Sequence, residues 1–262
     1  MDDLTTLATR LVDGSIQVID LTSPLHQGTP ILALPPEFGQ TAHFELEEIS
    51  RYDSRGPAWY WNNFRTGEHT GTHFDAPIHW VSGRHLDDVS QVPAQRLVGP
   101  AVVIDKTVEV AADTDYLLDV ADIRTWESEH GTLPDRGWLI YRTGWAARGD
   151  DPTDFANADD NGPHTPGLTP DAARYLADSA ILGMGVETVG TDAGRAFAFD
   201  PPFPCHDFFL GADKYGLTQL RNVDRLPVTG AVLIAAPLPI VDGSGSPCRV
   251  LALVAHSGSG RR

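Results

Sequence analysis

Cysteine is almost missing from this chain. Only Cys205 and Cys248 occur among 262 residues, too few for a disulfide framework and without CxxC spacing. Both are expected as small buried hydrophobes. Basic charge is also scarce: 19 Lys and Arg stand against 36 Asp and Glu, for a net charge of −17. Such a surface repels a phosphate backbone, so no nucleic-acid partner is expected. No apolar run reaches the roughly eighteen residues of a membrane-spanning helix. The opening MDDLTTLATRLVDG has neither the basic start nor the apolar stretch of a signal peptide, and the expected location is the cytoplasm, with no membrane partner. Internal repeats and low-complexity linkers are missing too.

Familiar catalytic motifs are equally scarce. No GxSxG occurs, which removes the nucleophile elbow of a serine hydrolase. Cys205 and His206 are neighbours, and on a strand they would face opposite ways, so they make no ready Cys–His pair. The glycines of VGTDAG (189–194) and DGSGSP (242–247) lack GxGxxG or Walker spacing and read as turns.

What remains is an ordinary globular composition, 41% hydrophobic and 21% charged, rich in strand signals. IQVIDL (16–21), AVVIDK (101–106), WLIYRT (138–143), ILGMGV (181–186), AVLIAAPLPIV (231–241) and RVLALVA (249–255) are short apolar or β-branched runs between turn residues. HFELEEI (43–49) alternates like a half-exposed strand. Asp119 is placed to cap a helix over DVADIRTWESEHG, and Thr169–Pro170 opens another over TPDAARYLADS. Strands outnumber helices and do not alternate with them as in a doubly wound sheet. The expected class is mixed, strand-rich α/β. The polar stretch ARGDDPTDFANADDNGPHTPG (147–167) reads as an exposed loop; its carboxylates lack the spacing of a calcium loop.

Against this background one segment stands out. EHTGTHFDAPIHW (68–80) carries three of the chain's ten histidines and an aspartate. Gly71, two threonines and Pro77 oppose a helix. As a strand, the segment would put His69, Gly71, His73 and Asp75 on one face, with Gly71 leaving a gap between the histidines. Two imidazoles and a carboxylate suit Zn²⁺, Mn²⁺ or Fe²⁺ with open positions for water, whereas a structural zinc site is closed by four ligands, usually including cysteine. His79, beyond Pro77, is placed to face the same ion as a general base or acid. His85 reads as a surface residue.

HTGTHFDAPIH resembles the HxGTHxDxPxH signature of the cyclase superfamily of metal-dependent hydrolases, whose branches include bacterial kynurenine formamidases and isatin hydrolases. The likeness extends to IDLTSPLHQGTP (19–30) and to residues 206–240. It implies a swivelling β/β/α fold spanning 1–262 as one domain, assembled as a homodimer or homotetramer with the active site near a subunit interface. It also implies that His69, His73 and Asp75 bind a divalent metal and that His79 handles protons. The dinuclear formamidases are expected to pair a later histidine with a glutamate twelve residues on. His206 fits the first, but Thr218 and Gln219 stand where the glutamate is needed. The chain is therefore more similar to the isatin hydrolase branch, where one ion is expected, Mn²⁺ before Zn²⁺. His206 and Gln219 are then candidates for substrate contact, as are Trp59 and Trp61, which would share one face of a strand over PAWYWNNF (57–64) and could stack on a flat substrate.

The expected activity is hydrolysis of a cyclic amide, lactone or aryl formamide, a small-molecule substrate, by metal-activated water. Two readings compete with it: a cyclase or dehydratase using the same site without net hydrolysis, and a non-catalytic metal or ligand-binding protein.

Overall fold

The apolar runs at the centre of the chain are apolar throughout because both of their faces are covered. Strand β5 (Val98–Asp105) and strand β6 (Trp138–Arg142) lie parallel, with Val103 opposite Ile140 and Val102 opposite Leu139. Val103, Trp138 and Ile140 point into one core; Val102, Ile104, Leu139 and Tyr141 point into a second. This is period-two alternation with no polar face.

The computed structural model describes residues 2–256. Besides β5 and β6, its strands of three or more residues are β1 (Ile16–Asp20), β2 (Glu45–Asp53), β3 (Gly56–Arg65), β4 (His73–Asp75), β7 (Gly183–Val186), β8 (Tyr215–Thr218), β9 (Ala231–Pro237) and β10 (Gly245–Ala255). The main sheet runs β1-β10-β9-β5-β6-β7-β8-β4, and β4 pairs with β10 as well as with β8. That last pairing closes seven strands into a ring, with β1 attached beside β10. β5 to β8 are parallel and the remaining pairs antiparallel. Inside the ring pack Phe74, Val103, Trp138, Ile140, Tyr215, Leu217, Leu233 and Val250.

The outer face of the parallel half is covered by α2 (Val120–His130) and α3 (Pro170–Asp178), with α1 (Asp3–Val12) preceding β1. Asp119 caps α2 in a reciprocal box, accepting from the Asp122 amide at 2.8 Å while its own amide donates to Asp122 at 3.2 Å. Thr169 caps α3 at Ala172. Such caps are worth about 1 kcal/mol each. The buried stripes Ile123–Trp126 and Ala172, Ala173, Leu176 then cover β5 to β7.

Several expectations need correction. α1 and β8 carry no reading from the sequence; α1 buries none of its residues, and YGLT is too short to signal alone. β9 ends at Pro237, well before Val241. Residues 147–167 are more ordered than a plain loop: Asp151 caps a short helix, Pro152–Ala156, and a two-residue ladder follows. Cys205 and His206 lie in a helical turn rather than a strand. β2 and β3 form a hairpin that pairs with no other described strand and exposes Leu46, Tyr52, Trp59, Tyr60, Trp61 and Phe64.

Candidate metal centre and active site

The signature is a tight turn leading into a three-residue strand. Only His73–Asp75 is extended. Gly71 has φ +66°, and a Cβ there would sit 2.6 Å from the Leu25 side chain. The strand expected over 69–75 is broken at this point, and Gly71 opens no gap between the histidines: it presses on the 25–29 loop. The gap comes from β8 and β10. Gly216 and Gly245 both lie opposite Asp75. A Cβ on Gly216 would stand 2.7 Å from Asp75 Oδ2, and one on Gly245 would stand 2.6 Å from His69 Cε1. Two glycines thus make room for the carboxylate and the imidazole.

The turn still brings the expected groups together. His69 Nδ1 is 2.8 Å from Asp75 Oδ1, and His73 Nε2 is 3.4 Å from the same oxygen. His79, in the turn Pro77–His79, stacks on His69 with ring centroids 3.9 Å apart. One ligand atom each from His69, Asp75 and His79 falls within 4.8 Å of the others.

Hydrogen bonds separate the histidines into two kinds. Ser244 donates to Glu68 at 2.6 Å, so its oxygen is free to accept the Nε2–H of His69 at 2.9 Å. His73 Nδ1 donates to the Gly71 carbonyl at 2.8 Å. Each ring therefore has an outward partner for one nitrogen and turns the other to Asp75, as an N–H donor when the ring is charged or as a lone pair when an ion lies between. Metal-binding histidines are oriented in this way. His79 has no side-chain hydrogen bond among the described residues. The donor set fits a cation: two ring nitrogens converge on one buried carboxylate oxygen, and as neutral rings they would repel it unless positive charge lay between.

Titration directions agree. Burial alone would raise the Asp75 carboxyl, but the charge of His73 and the hydrogen bond and charge of His69 hold it well below the usual carboxylate range. Burial, followed by the charge of His69, pushes His79 down to about 3, leaving it neutral at neutral pH. Burial also drives the Cys205 thiol well above its ordinary value, which leaves it unreactive.

Other candidates fall in different places. His206 joins the cluster, its ring centroid 5.6 Å from His79 and 4.8 Å from Trp80. Burial opposes its charge, yet the hydrogen bond and charge of Asp192 raise its pKa above the ordinary histidine value. Gln219 lies next to Thr218 but turns its amide to the Pro30 carbonyl at 3.1 Å and lines a cavity of about 20 Å³ with Ser23, His26 and Glu187. Trp59 and Trp61 are 49% and 54% exposed on the hairpin, outside the histidine cluster of their own chain. Sequence reasoning missed Ser244, Glu68, Trp80 and Asp192. Ser244 and Asp192 sit in the two glycine-bearing stretches read only as turns; Asp192 lies in a bend, whereas Ser244 directly precedes β10, which takes up Gly245 to Pro247.

Comparison with known proteins adds to this geometry. The family model described as putative cyclase matches residues 19–193. The chain belongs to this cyclase family. As a cyclase-family member it is a metal-dependent hydrolase, and its β/β/α fold is the one found in solved relatives. An isatin hydrolase of Roseibium aggregatum is 48% identical over 96% of this chain and 97% of its own length. A kynurenine formamidase of Polaromonas naphthalenivorans is 26% identical over 90% of this chain and 91% of its own. Among solved structures, isatin hydrolase A from Labrenzia aggregata bound to benzyl benzoate superimposes with a TM-score of 0.95 at 50% identity, covering 97% of this chain and all of the other. An isatin hydrolase bound to the product analogue thioisatinate gives 0.95 at 46% identity over the same share of this cyclase-family chain.

Proposed function

We propose that this chain hydrolyses the amide C–N bond of isatin-like cyclic amides, using one divalent ion held by His69, His73 and Asp75. The reading is carried by one observation: His69 and His73 each have an outward hydrogen-bond partner and turn the other ring nitrogen to Asp75, while His79, though within ligand reach of His69 and Asp75, has no outward side-chain partner among the described residues. Oxygen and nitrogen donors without thiolate suit Mn²⁺ as well as Zn²⁺, and Thr218, standing where a second site would need a carboxylate, favours a single ion. An ion held by His69, His73 and Asp75 would supply a water acidic enough to ionise near neutral pH and would polarise the substrate carbonyl.

The protein's own groups do the rest. Neutral His79 accepts the proton of the attacking water and delivers it to the leaving nitrogen, so the amide opens to a carboxylate and an amine. Asp75 stays anionic through the cycle. His206 and Trp80 line the side of the site next to His79. Aryl formamides and lactones present the same carbonyl chemistry and are secondary substrates in this reading.

The hairpin β2–β3 is the surface for self-association. Trp59, Tyr60, Trp61 and Phe64 are at least 40% exposed, which is costly for a free two-stranded arm, and a second copy of the chain would cover them. Trp59 and Trp61 then contact substrate as part of a homodimer or homotetramer. The site of action is the cytoplasm; among the described residues no helix is long and apolar enough to cross a membrane.

Hydrolysis of isatin with Mn²⁺ or Zn²⁺ added, in ¹⁸O-labelled water, tests the reading. One labelled oxygen in the product carboxylate is expected. Turnover without label would point to a cyclase or dehydratase, and metal binding with no turnover of any cyclic amide, formamide or lactone would point to a binding protein.

A further inference from the structure

His69 stands between two carboxylates. Its Nδ1 lies 2.8 Å from Asp75 Oδ1, and its Nε2 lies 2.9 Å from the hydroxyl of Ser244. That hydroxyl is in turn 2.6 Å from Glu68 Oε2. One carboxylate reaches the ring directly and the other reaches it through a serine. A neutral imidazole has one proton to offer them, and the partner of each nitrogen decides which one carries it.

A hydroxyl can either accept or donate. If Ser244 donated to Nε2, the ring proton would sit on Nδ1 and go to Asp75, and no lone pair of His69 would face the site. Glu68 removes that choice. A carboxylate only accepts, so Glu68 takes the Ser244 proton and leaves the serine oxygen as the acceptor of Nε2–H. The lone pair of Nδ1 then faces Asp75. The backbone holds this arrangement in place. Glu68 Oε2 also accepts the Ser244 amide at 3.2 Å, and the Ser244 carbonyl accepts the Ala76 amide at 3.0 Å. Ser244 is thus tied to the residues just before His69 and just after Asp75. Among the described residues it is the only hydrogen-bond partner of Glu68.

We propose that Glu68 is a positioning residue that acts through Ser244: it selects the Nε2–H tautomer of His69 before any ion binds and keeps Nδ1 as a lone pair. The proposal rests on the reading of His69 as a metal ligand. It involves no bond to carbon, only the placing of one proton on one ring nitrogen instead of the other.

The test is ¹⁵N NMR of the histidine rings in the metal-free protein, at a pH above the ordinary histidine range, for the natural chain, Ser244→Ala and Glu68→Leu. The natural chain should show His69 with its proton on Nε2, and both variants should show it on Nδ1. His73, whose Nδ1–H faces the Gly71 carbonyl, should keep its tautomer in all three, which a general loosening of the site would not allow. Chelator competition with Mn²⁺ should show binding about 10- to 100-fold weaker in each variant. The double variant should lose little more than either single one, because both changes break the same relay. A natural chain with His69 already protonated on Nδ1, an unchanged tautomer in both variants, a His73 tautomer that moves with His69, or additive losses would overturn the proposal. The Ser244→Ala result decides it even if Glu68→Leu does not fold. A natural chain that binds neither Mn²⁺ nor Zn²⁺ would fail the metal reading, while the tautomers of the metal-free protein would still decide this one.

Discussion

The hydroxyl of Thr218 lies 2.8 Å from Nδ1 of His73, directly across the β4–β8 ladder. The same nitrogen faces the Gly71 carbonyl at 2.8 Å, and the hydroxyl also lies 3.2 Å from Nε2, so the threonine braces the ring edge between its two nitrogens. A glutamate at 218 would bring a second anion to the site; the threonine is a neutral brace.

Replacing Thr218 with valine keeps the shape and removes the hydroxyl. Metal affinity should fall on the order of tenfold, the scale of a lost outer partner, read by competition with a chelator. Unchanged affinity would mean that Gly71 alone orients His73.

His79 and His69 should respond differently to truncation. His69→Ala should lose the ion. His79→Ala should keep it and lose roughly 10²- to 10⁴-fold in kcat/KM, the range for a general base. Metal analysis of both variants separates the roles, and loss of the ion from His79→Ala would make His79 a ligand.

Gly245 marks where backbone and imidazole approach. A methyl group there would sit 2.5 Å from the Phe74 carbonyl and 2.6 Å from His69. Gly245→Ala should therefore destabilise the fold by about 1–3 kcal/mol, as overpacking does, and misplace His69. Thermal melting and metal affinity should both fall; a neutral result would show that β4 and β10 can separate freely.

His164 supplies a pH dependence away from the site. Its Nδ1 is 2.6 Å from Asp115, and its Nε2 is 3.2 Å from Asp159. The hydrogen bonds of Asp115 and then Asp159 raise its pKa above the ordinary value. A raised histidine stabilises the fold fully below its unfolded pKa of about 6.5 and loses that contribution as pH climbs through the higher folded value. The melting difference between the natural chain and His164→Gln should be larger at pH 6 than at pH 9. A difference that grows with pH would contradict the pairing.

How much the sequence disclosed follows from where each signal lies. AVVIDK and WLIYRT were legible as strands because both faces are buried, and Asp119 was legible because a cap acts on residues three positions away. The metal-binding types at 69, 73, 75 and 79 were visible because they sit in one segment. Their geometry was not: Gly71 turns the chain through a positive φ, and the room it was expected to leave comes from Gly216 and Gly245, in strands brought in from far along the chain. Ser244 is 175 positions from His69, and no local pattern marks such a partner. Asp192 was hidden in a glycine-flanked turn that carries no motif.

The central claim is one catalytic ion per chain, held by His69, His73 and Asp75. Metal stoichiometry measured alongside isatin hydrolysis, through stripping and return of Mn²⁺, tests it most directly. The account predicts one ion per chain, activity lost on stripping and restored when one equivalent returns. Full activity in the stripped protein, or a requirement for two ions per chain, would contradict it.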